Sequence, residues 1–464
     1  MLRVLVASLL LPAVAVAAPQ LSVGFGEVDV SPKIGAKPVY MAGFGHDRQA
    51  KKVHDPIMAR AVVLTDGTKK IALVSVDVVG LFFPVIESVR KQLKGFDYVC
   101  VSSTHNHEGP DTLGLWGRTP FTSGIDPAYM TSVEAGIVKA VTDADKAKRA
   151  AVAKIGVVNG GDLLNDSRLP VVKHEELVAI RFDPAESDKP AKPLGILIQW
   201  NCHPELLGSK NVEVSADHVG YTVKHVQDKY GCPVAYFTGT VGGLMSSLKV
   251  PLKNARGEEL KDGTFEKTEE FGVRVGKLAV KAVADSAAVS LVPFDIRTKA
   301  VLVPVENGLY RLAKQVGVLK RDMYPWTGDP HPKEWKPTLD AAKPVGIKSE
   351  VGFVKLGDLE IAAIPGEIYP ELVLDKVQTP ADPGADFPNA PTEPAIYPGM
   401  KGKHKMLIGL ANDELGYFIP KRQWDEKKPY CYGLKQSQYG EVNSCGPDAA
   451  KVICDTFRSL ATGK

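Results

Sequence analysis

Tyr98-Val99-Cys100-Val101-Ser102-Ser103-Thr104-His105-Asn106-His107-Glu108-Gly109-Pro110-Asp111 is an apolar, β-branched run that empties into a polar loop holding two histidines. The run predicts a buried strand over 98–102. Histidines two residues apart at a strand end leave the chain on one side and can address one centre. Loops at the carboxyl ends of strands are where α/β sheets hold their sites. His-x-His alone also fits an ordinary solvated loop, so its recurrence matters. Residues 194–200 run into Asn201-Cys202-His203-Pro204-Glu205, and 360–364 run into Pro365-Gly366-Glu367. Residues 406–410 run into Ala411-Asn412-Asp413-Glu414-Leu415-Gly416-Tyr417. Four strands thus deliver His, His, Glu and Tyr from comparable positions. Two imidazoles with one carboxylate form a common catalytic zinc set that leaves a coordination position open.

Outward from these runs, further strands are expected at 61–64, 71–78, 151–158, 177–182, 234–238 and 352–356. Helical periodicity covers 84–93, 127–146, 217–229 and 268–284, and a last helix opened by Gly446-Pro447-Asp448 extends to about residue 460. The expected fold class is α/β (mixed α+β), with mixed β-sheets flanked by helices. Two stretches read as irregular excursions: 322–344, either an aromatic lid or a surface insertion, and 379–405, a surface insertion.

The 464 residues are 44% hydrophobic and 24% charged, which excludes a disordered, collagen-like or coiled-coil chain. A formal net charge of +3 with no long basic stretch argues against a nucleic-acid partner. Arg3, the apolar run 4–18 and the small pair Ala15 and Ala17 read as a secretory signal peptide over 1–17, cleaved after Ala17 or Ala18. The mature protein is then expected to be secreted or periplasmic, with no integral membrane segment. Export lets disulfides persist, so a staple between two of Cys431, Cys445 and Cys454 is expected. Cys100 and Cys202 lie in strand-like runs and read as buried thiols. No CxxC pair occurs, which argues against a cysteine zinc site. His46 and His54 flank the basic residues Arg48, Lys51 and Lys52 in what reads as a solvated loop. His218 reads as a supporting neighbour of the metal site or as part of the helix start, and His174, His225, His331 and His404 read as surface residues. No P-loop, dinucleotide fingerprint or Gly-x-Ser-x-Gly elbow is present, which disfavours phosphate cofactors and a serine triad.

At this point the chain resembles the neutral/alkaline (non-lysosomal) ceramidases. His105-Asn106-His107 with Glu108-Gly109-Pro110 looks like their Thr-His-x-His-x-Gly-Pro segment. Residues 24–32 (GFGEVDVSP), Met41-Ala42-Gly43-Phe44, Ala59-Arg60-Ala61, Asn201-Cys202-His203, residues 215–221, Pro365-Gly366-Glu367, Gly416-Tyr417 and Gly446-Pro447 follow in family order. The resemblance implies one zinc ion held by His105, His203, Glu367 and Tyr417. It places His107 beside the metal, Arg168 at the active site and the basic stretch between His46 and His54 near the pocket, with Tyr417 or Arg168 stabilising an oxyanion and His107 moving a proton to the leaving amine.

Three departures from the family pattern are visible. Glu414 stands where the first of two tyrosines would often be. The family's Gly-Asp-Val-Ser-Pro-type segment reads Gly239-Thr240-Val241-Gly242-Gly243-Leu244-Met245-Ser246-Ser247, with Met245 in the serine's place and Ser246 one step later. The resemblance covers 18–464 as a catalytic domain, without the immunoglobulin-like domain that ceramidases append. The leading expectation is an exported zinc-dependent hydrolase cleaving the amide bond of ceramide or another N-acyl compound, with possible peripheral contact with lipid. Two others stand beside it: a metal-dependent esterase or lactonase on a small substrate, and a secreted, non-catalytic binding protein of the same fold.

Overall fold

The computed structural model describes residues 20–186, 192–340 and 343–463, so the expected signal peptide lies outside the described residues. Its largest sheet runs in the order Val234–Thr238, Gly195–Trp200, Glu176–Pro184, Arg149–Asn159, Ser22–Asp29, Met58–Thr65, Lys70–Val76 and Tyr98–Ser103, with Ala287–Val289 added beside Arg149–Asn159. The outermost pairs at the two ends are parallel and the middle is antiparallel. The sheet coils until its ends meet. Ser75 Oγ donates to the carbonyl of Tyr236, and Thr238 Oγ1 donates to that of Thr104 at 2.8 Å. The loops after Tyr98–Ser103 and after Gly195–Trp200, far apart in strand order, are thereby brought together.

Both faces of this sheet are covered, which explains why its strands read as continuous apolar runs rather than as alternation. On the strand Met58–Thr65, Val62 and Leu64 point inward, while Ala59, Ala61 and Val63 pack outward. The outer face carries the helices Phe83–Gln92 and Pro127–Lys146 on one half, and Asp217–Tyr230 and Phe265–Ala284 on the other. The inner face receives a second, five-stranded sheet: Phe294–Val305, Val345–Leu356, Leu359–Ala363 and His404–Ile408 in order, with Tyr324–Pro325 beside Val345–Leu356. Val354, Leu356, Leu359, Ile361, Met406 and Ile408 bury themselves against the first sheet. The far side of the second sheet is closed by the helix Ala449–Thr462 through Val301, Val303, Phe353 and Phe457. The layers are therefore helices, sheet, sheet, helix, which is the expected mixed α/β class. Among the described residues no helix is long and apolar enough to cross a membrane.

Three expectations are corrected. Cys431, Cys445 and Cys454 are all buried free thiols, and no staple joins them. His174, expected on the surface, is 1% exposed, with Nδ1 2.9 Å from Thr240 Oγ1. Arg48, expected in a solvated loop, is buried against the back of the histidine loop.

Candidate metal centre

The strand Tyr98–Ser103 ends just before the histidines, and the loop that follows is folded by its own middle residue. Asn106 donates to the carbonyls of Ser215 (2.7 Å) and Asp77 (3.2 Å) and accepts the Glu108 amide at 3.0 Å. His105 sits at φ +66°, a left-handed conformation that a non-glycine residue adopts at a cost of about 1–3 kcal/mol and that clusters at functional sites. Arg48 clamps the loop from behind, donating to Glu108 Oε2 at 3.0 Å and to the carbonyls of Ala42 and His107. Gly43 makes room for the His107 ring: a Cβ there would fall 2.4 Å from His107 Cγ.

The two imidazoles expected as ligands are oriented alike. His105 Nδ1 donates to the Val79 carbonyl at 2.7 Å, and His203 Nδ1 donates to the Met245 carbonyl at 2.8 Å. A backbone acceptor on Nδ1 fixes the ring and leaves Nε2 for the centre. Both Nε2 atoms converge on a single oxygen, Glu367 Oε2, at 3.2 Å and 2.9 Å. The nitrogens of His105, His107 and His203 lie within 4.8 Å of one another and form a group able to hold a metal ion. Glu367 and Tyr417 are register partners in the parallel pair Glu367–Ile368 and Tyr417–Phe418, so their side chains leave on the same face.

Electrostatics at this cluster call for a cation. Burial by itself would raise the Glu367 carboxyl, yet the two imidazoles hold it well below the usual carboxylate range. Reciprocally, burial would lower His203, but the Glu367 carboxylate and Glu205 push it up to about 9, and His105 is raised in the same way by Glu367. The carboxylate thus demands positive charge at both Nε2 atoms. A divalent ion delivers that charge at the same place with both rings neutral, so the donor set fits a metal of the zinc type. His107 is different: burial and its two histidine neighbours hold it well below its ordinary value, and neither of its nitrogens has a hydrogen-bond partner. Its Nδ1 stands 3.7 Å from Glu205 Oε2, and Ser246 Oγ donates to the other oxygen of Glu205.

In front of the histidines lies a cavity of about 80 Å³ whose lining includes His105, His107, Glu367, Glu414, Tyr417 and Tyr439. Among the described residues of 322–344, none lines it.

No protein-family model matches the chain. Among solved structures it is similar to the neutral ceramidase from Pseudomonas aeruginosa, with a TM-score of 0.70 and 15% identity over 96% of this chain and 74% of that one. It is also similar to a ceramidase complexed with C2, with a TM-score of 0.68 and 13% identity over 96% of this chain and 75% of that one. The fold is that of the neutral ceramidases.

On this ceramidase-like frame His105, His107, His203, Glu367 and Tyr417 are brought together, and Arg168 is not. Its guanidinium pairs with Glu441 through two bonds of 2.9 and 2.7 Å and donates to the carbonyls of Tyr439 and Gln423, behind the Tyr369 ring. It fixes the segment that carries Tyr439 into the cavity wall. Met245 turns its side chain into the core under the helices Asp217–Tyr230 and Phe265–Ala284 and offers only its carbonyl to His203. His54 stacks on Phe265 at 3.6 Å, away from the site, whereas His218 Nε2 reaches the His203 carbonyl at 3.3 Å. Sequence reasoning missed Arg48 and Glu205. Glu205 had one signal, its place two residues after His203; Arg48 had only the resemblance, which sets its basic stretch near the pocket.

Proposed function

We propose that this chain is an exported, metal-dependent hydrolase of the ceramidase type, with zinc as the metal and the amide bond of ceramide or another N-acyl compound as its target. The observation that carries this is the meeting of His105 Nε2 and His203 Nε2 at one oxygen of Glu367, each ring held from behind by a backbone carbonyl. His105, His203, Glu367 and Tyr417 are the proposed ligands, and residues 18–464 the proposed catalytic unit. A zinc ion held there supplies a Lewis acid that polarises the substrate carbonyl. His107, neutral and unpartnered at both nitrogens, is suited to take a proton from the attacking water and return it to the leaving amine. Glu205 steadies the protonated ring across 3.7 Å and is itself held by Ser246. The Tyr417 hydroxyl, on the face it shares with Glu367, is the proposed donor to the developing oxyanion. Arg168 acts as a positioning residue for Tyr439.

One observation favours the second enzyme reading, an esterase or lactonase on a small substrate: a cavity of about 80 Å³ is well below the roughly 300–1,000 Å³ of typical ligand pockets. The buried cluster of His105, His107, His203 and Glu367 speaks against a non-catalytic binding protein. The test is metal analysis of the purified protein with hydrolysis of matched acyl amides and esters. Wild type should hold about one metal per chain. His105→Ala and His203→Ala should lose it and lower turnover by about a hundredfold or more, whereas His107→Ala should keep the metal and lose about 10²–10⁴ in rate. Unchanged metal and turnover in His105→Ala and His203→Ala would sink the proposal.

A further inference from the structure

In the proposed reaction the acyl half of a substrate meets the apolar side of the cavity, built by Val79, Phe82, Leu113, Leu115, Leu319 and Ile347. The amine half meets His107, which hands it a proton. One acidic side chain flanks that ring outside the cavity lining. Glu205 Oε1 accepts a hydrogen bond from Ser246 Oγ, and Glu205 Oε2 stands 3.7 Å from His107 Nδ1 with no hydrogen-bond partner. That second oxygen is not sealed in: the Glu205 side chain is 15% exposed, against 5% for Glu367 and 0% for Glu108. Burial, then the charges of Glu367 and Glu205, raise the Tyr439 hydroxyl in the cavity lining, so the Glu205 carboxylate lies within electrostatic reach of the cavity. Four other carboxylates near the centre have their counter-charge. Glu108 pairs with Arg48, Asp413 with Arg321 and Glu441 with Arg168, while Glu367 holds the two imidazoles. Among the described residues no lysine or arginine lies within ion-pair distance of Glu205, and His107 is beyond hydrogen-bond distance of it.

A carboxylate fixed by one oxygen, with the other accessible and no cation on its own chain, is arranged to receive the cation from a ligand. We propose that Glu205 is a specificity-determining residue selecting substrates whose leaving amine carries a second, positively charged amine, the ammonium pairing with Glu205 Oε2. The proposal rests on the hydrolase reading and names its substrate class, the mono-acylated diamines. An ammonium brings a full charge and three donors on a compact head, so it bonds Oε2 and supplies the missing counter-charge together. A hydroxyl at the same place supplies one donor and no charge, and an alkyl end supplies neither. The acyl chain and the charged amine are thereby sorted to opposite sides of the reacting bond, which fixes the direction in which the substrate enters.

The test compares three N-butyryl amides of matched length, those of 1,4-diaminobutane, 4-aminobutan-1-ol and pentylamine, with thermal melting of each variant as the folding control. Wild type should prefer the diamine probe over both others by about tenfold or more in kcat/KM. Glu205→Gln keeps the shape of the side chain and a partner for Ser246 without the charge. Its preference among the three probes should vanish, however far their common rate falls with the support of His107. A wild-type ratio near one against either other probe, or a preference unchanged in Glu205→Gln, overturns the subsite and leaves the hydrolase reading intact. If wild type cleaves none of the probes, the hydrolase reading fails instead. Calorimetry of wild type and Glu205→Gln with the uncleaved diamine probe then decides the subsite by itself. Binding to wild type tighter by about tenfold or more supports it, and equal affinities overturn it.

Discussion

Single residues decide how the centre is held, and His218 shows the scale of what they contribute. Its ring packs edge-on against Phe271 and Tyr236, its Nδ1 has no partner, and its Nε2 reaches only the His203 carbonyl. Burial pushes the imidazole down to about 3, far below the ordinary 6.5. In the folded protein His218 is therefore neutral, while in the unfolded chain it binds a proton once the pH falls below about 6.5. Its contribution is present in full above that pH and is lost as the pH falls toward 3. At about 1.4 kcal/mol per pH unit, the folded state loses roughly 2–3 kcal/mol through this one ring between pH 6.5 and 4.5. His218→Phe keeps the aromatic packing and removes the titration, so its stability should fall by that much less than wild type over the same interval. Urea unfolding of both proteins at pH 7 and pH 4.5 measures the difference; an identical wild-type-to-variant gap at the two values would refute it. At this scale His105, His203 and Glu367 were legible because each ends an apolar run. Arg48 was not, since its role exists only once residue 48 and the loop 105–108 are adjacent.

Elements meet through backbone as much as through side chains. The central strand Ser22–Asp29 carries Gly24 and Gly26, and the helix Pro127–Lys146 lies directly on them. A Cβ at Gly24 would fall 2.0 Å from the Ala144 carbonyl oxygen, and one at Gly26 2.3 Å from that of Ala140. Neither obstacle is a flexible side-chain end, so relief requires the helix to move. Gly24→Ala should therefore destabilise the protein by about 2–3 kcal/mol or more, whereas Gly35→Ala, with nothing within 4 Å, should stay within about 0.5 kcal/mol of wild type. Chemical denaturation at constant pH checks both, and a stable Gly24→Ala would mean that the helix is not seated on that strand. Elements with one clear period were readable: the helix at 127–146 and the strand at 234–238 fall where the sequence put them. The strand Phe294–Val305 escaped, because its first half, Phe294 to Ala300, is mostly half-exposed and carries Asp295, Arg297 and Lys299. Its partner Val345–Leu356 was seen only from residue 352 onward, since Gly346, Lys348 and Glu350 interrupt the apolar run.

At the scale of the whole molecule the two sheets are distinct ladders joined by a few backbone bonds, Asn412 N to the Val101 carbonyl at 2.7 Å and Gly409 N to that of Thr238 at 2.9 Å among them, and the centre lies where they meet. His105 and His203 follow strands of the larger sheet, while Glu367 and Tyr417 follow strands of the smaller one. No local pattern could state that convergence, because it depends on the larger sheet coiling until its ends touch. An ion bound by residues of both sheets acts as a clip across them and stabilises the folded chain by mass action, by about 2.7 kcal/mol at a hundred times its dissociation constant. Without the ion, Glu367 Oε2 still lies 3.2 and 2.9 Å from the two imidazole Nε2 atoms, so the stripped protein should remain folded and melt in a single transition a few degrees lower. Ligand protons must leave as the ion binds, hence the melting shift on adding zinc should be larger at pH 8 than at pH 6. Glu367→Gln removes the shared oxygen's charge and should abolish the shift, while Gly35→Ala should retain it in full. Reductant should change none of these values, since all six cysteines are free thiols. Calorimetric scans of metal-loaded and chelator-stripped protein at the two pH values carry the test. Equal melting temperatures for the loaded and stripped forms would show that the centre does not join the sheets through a metal.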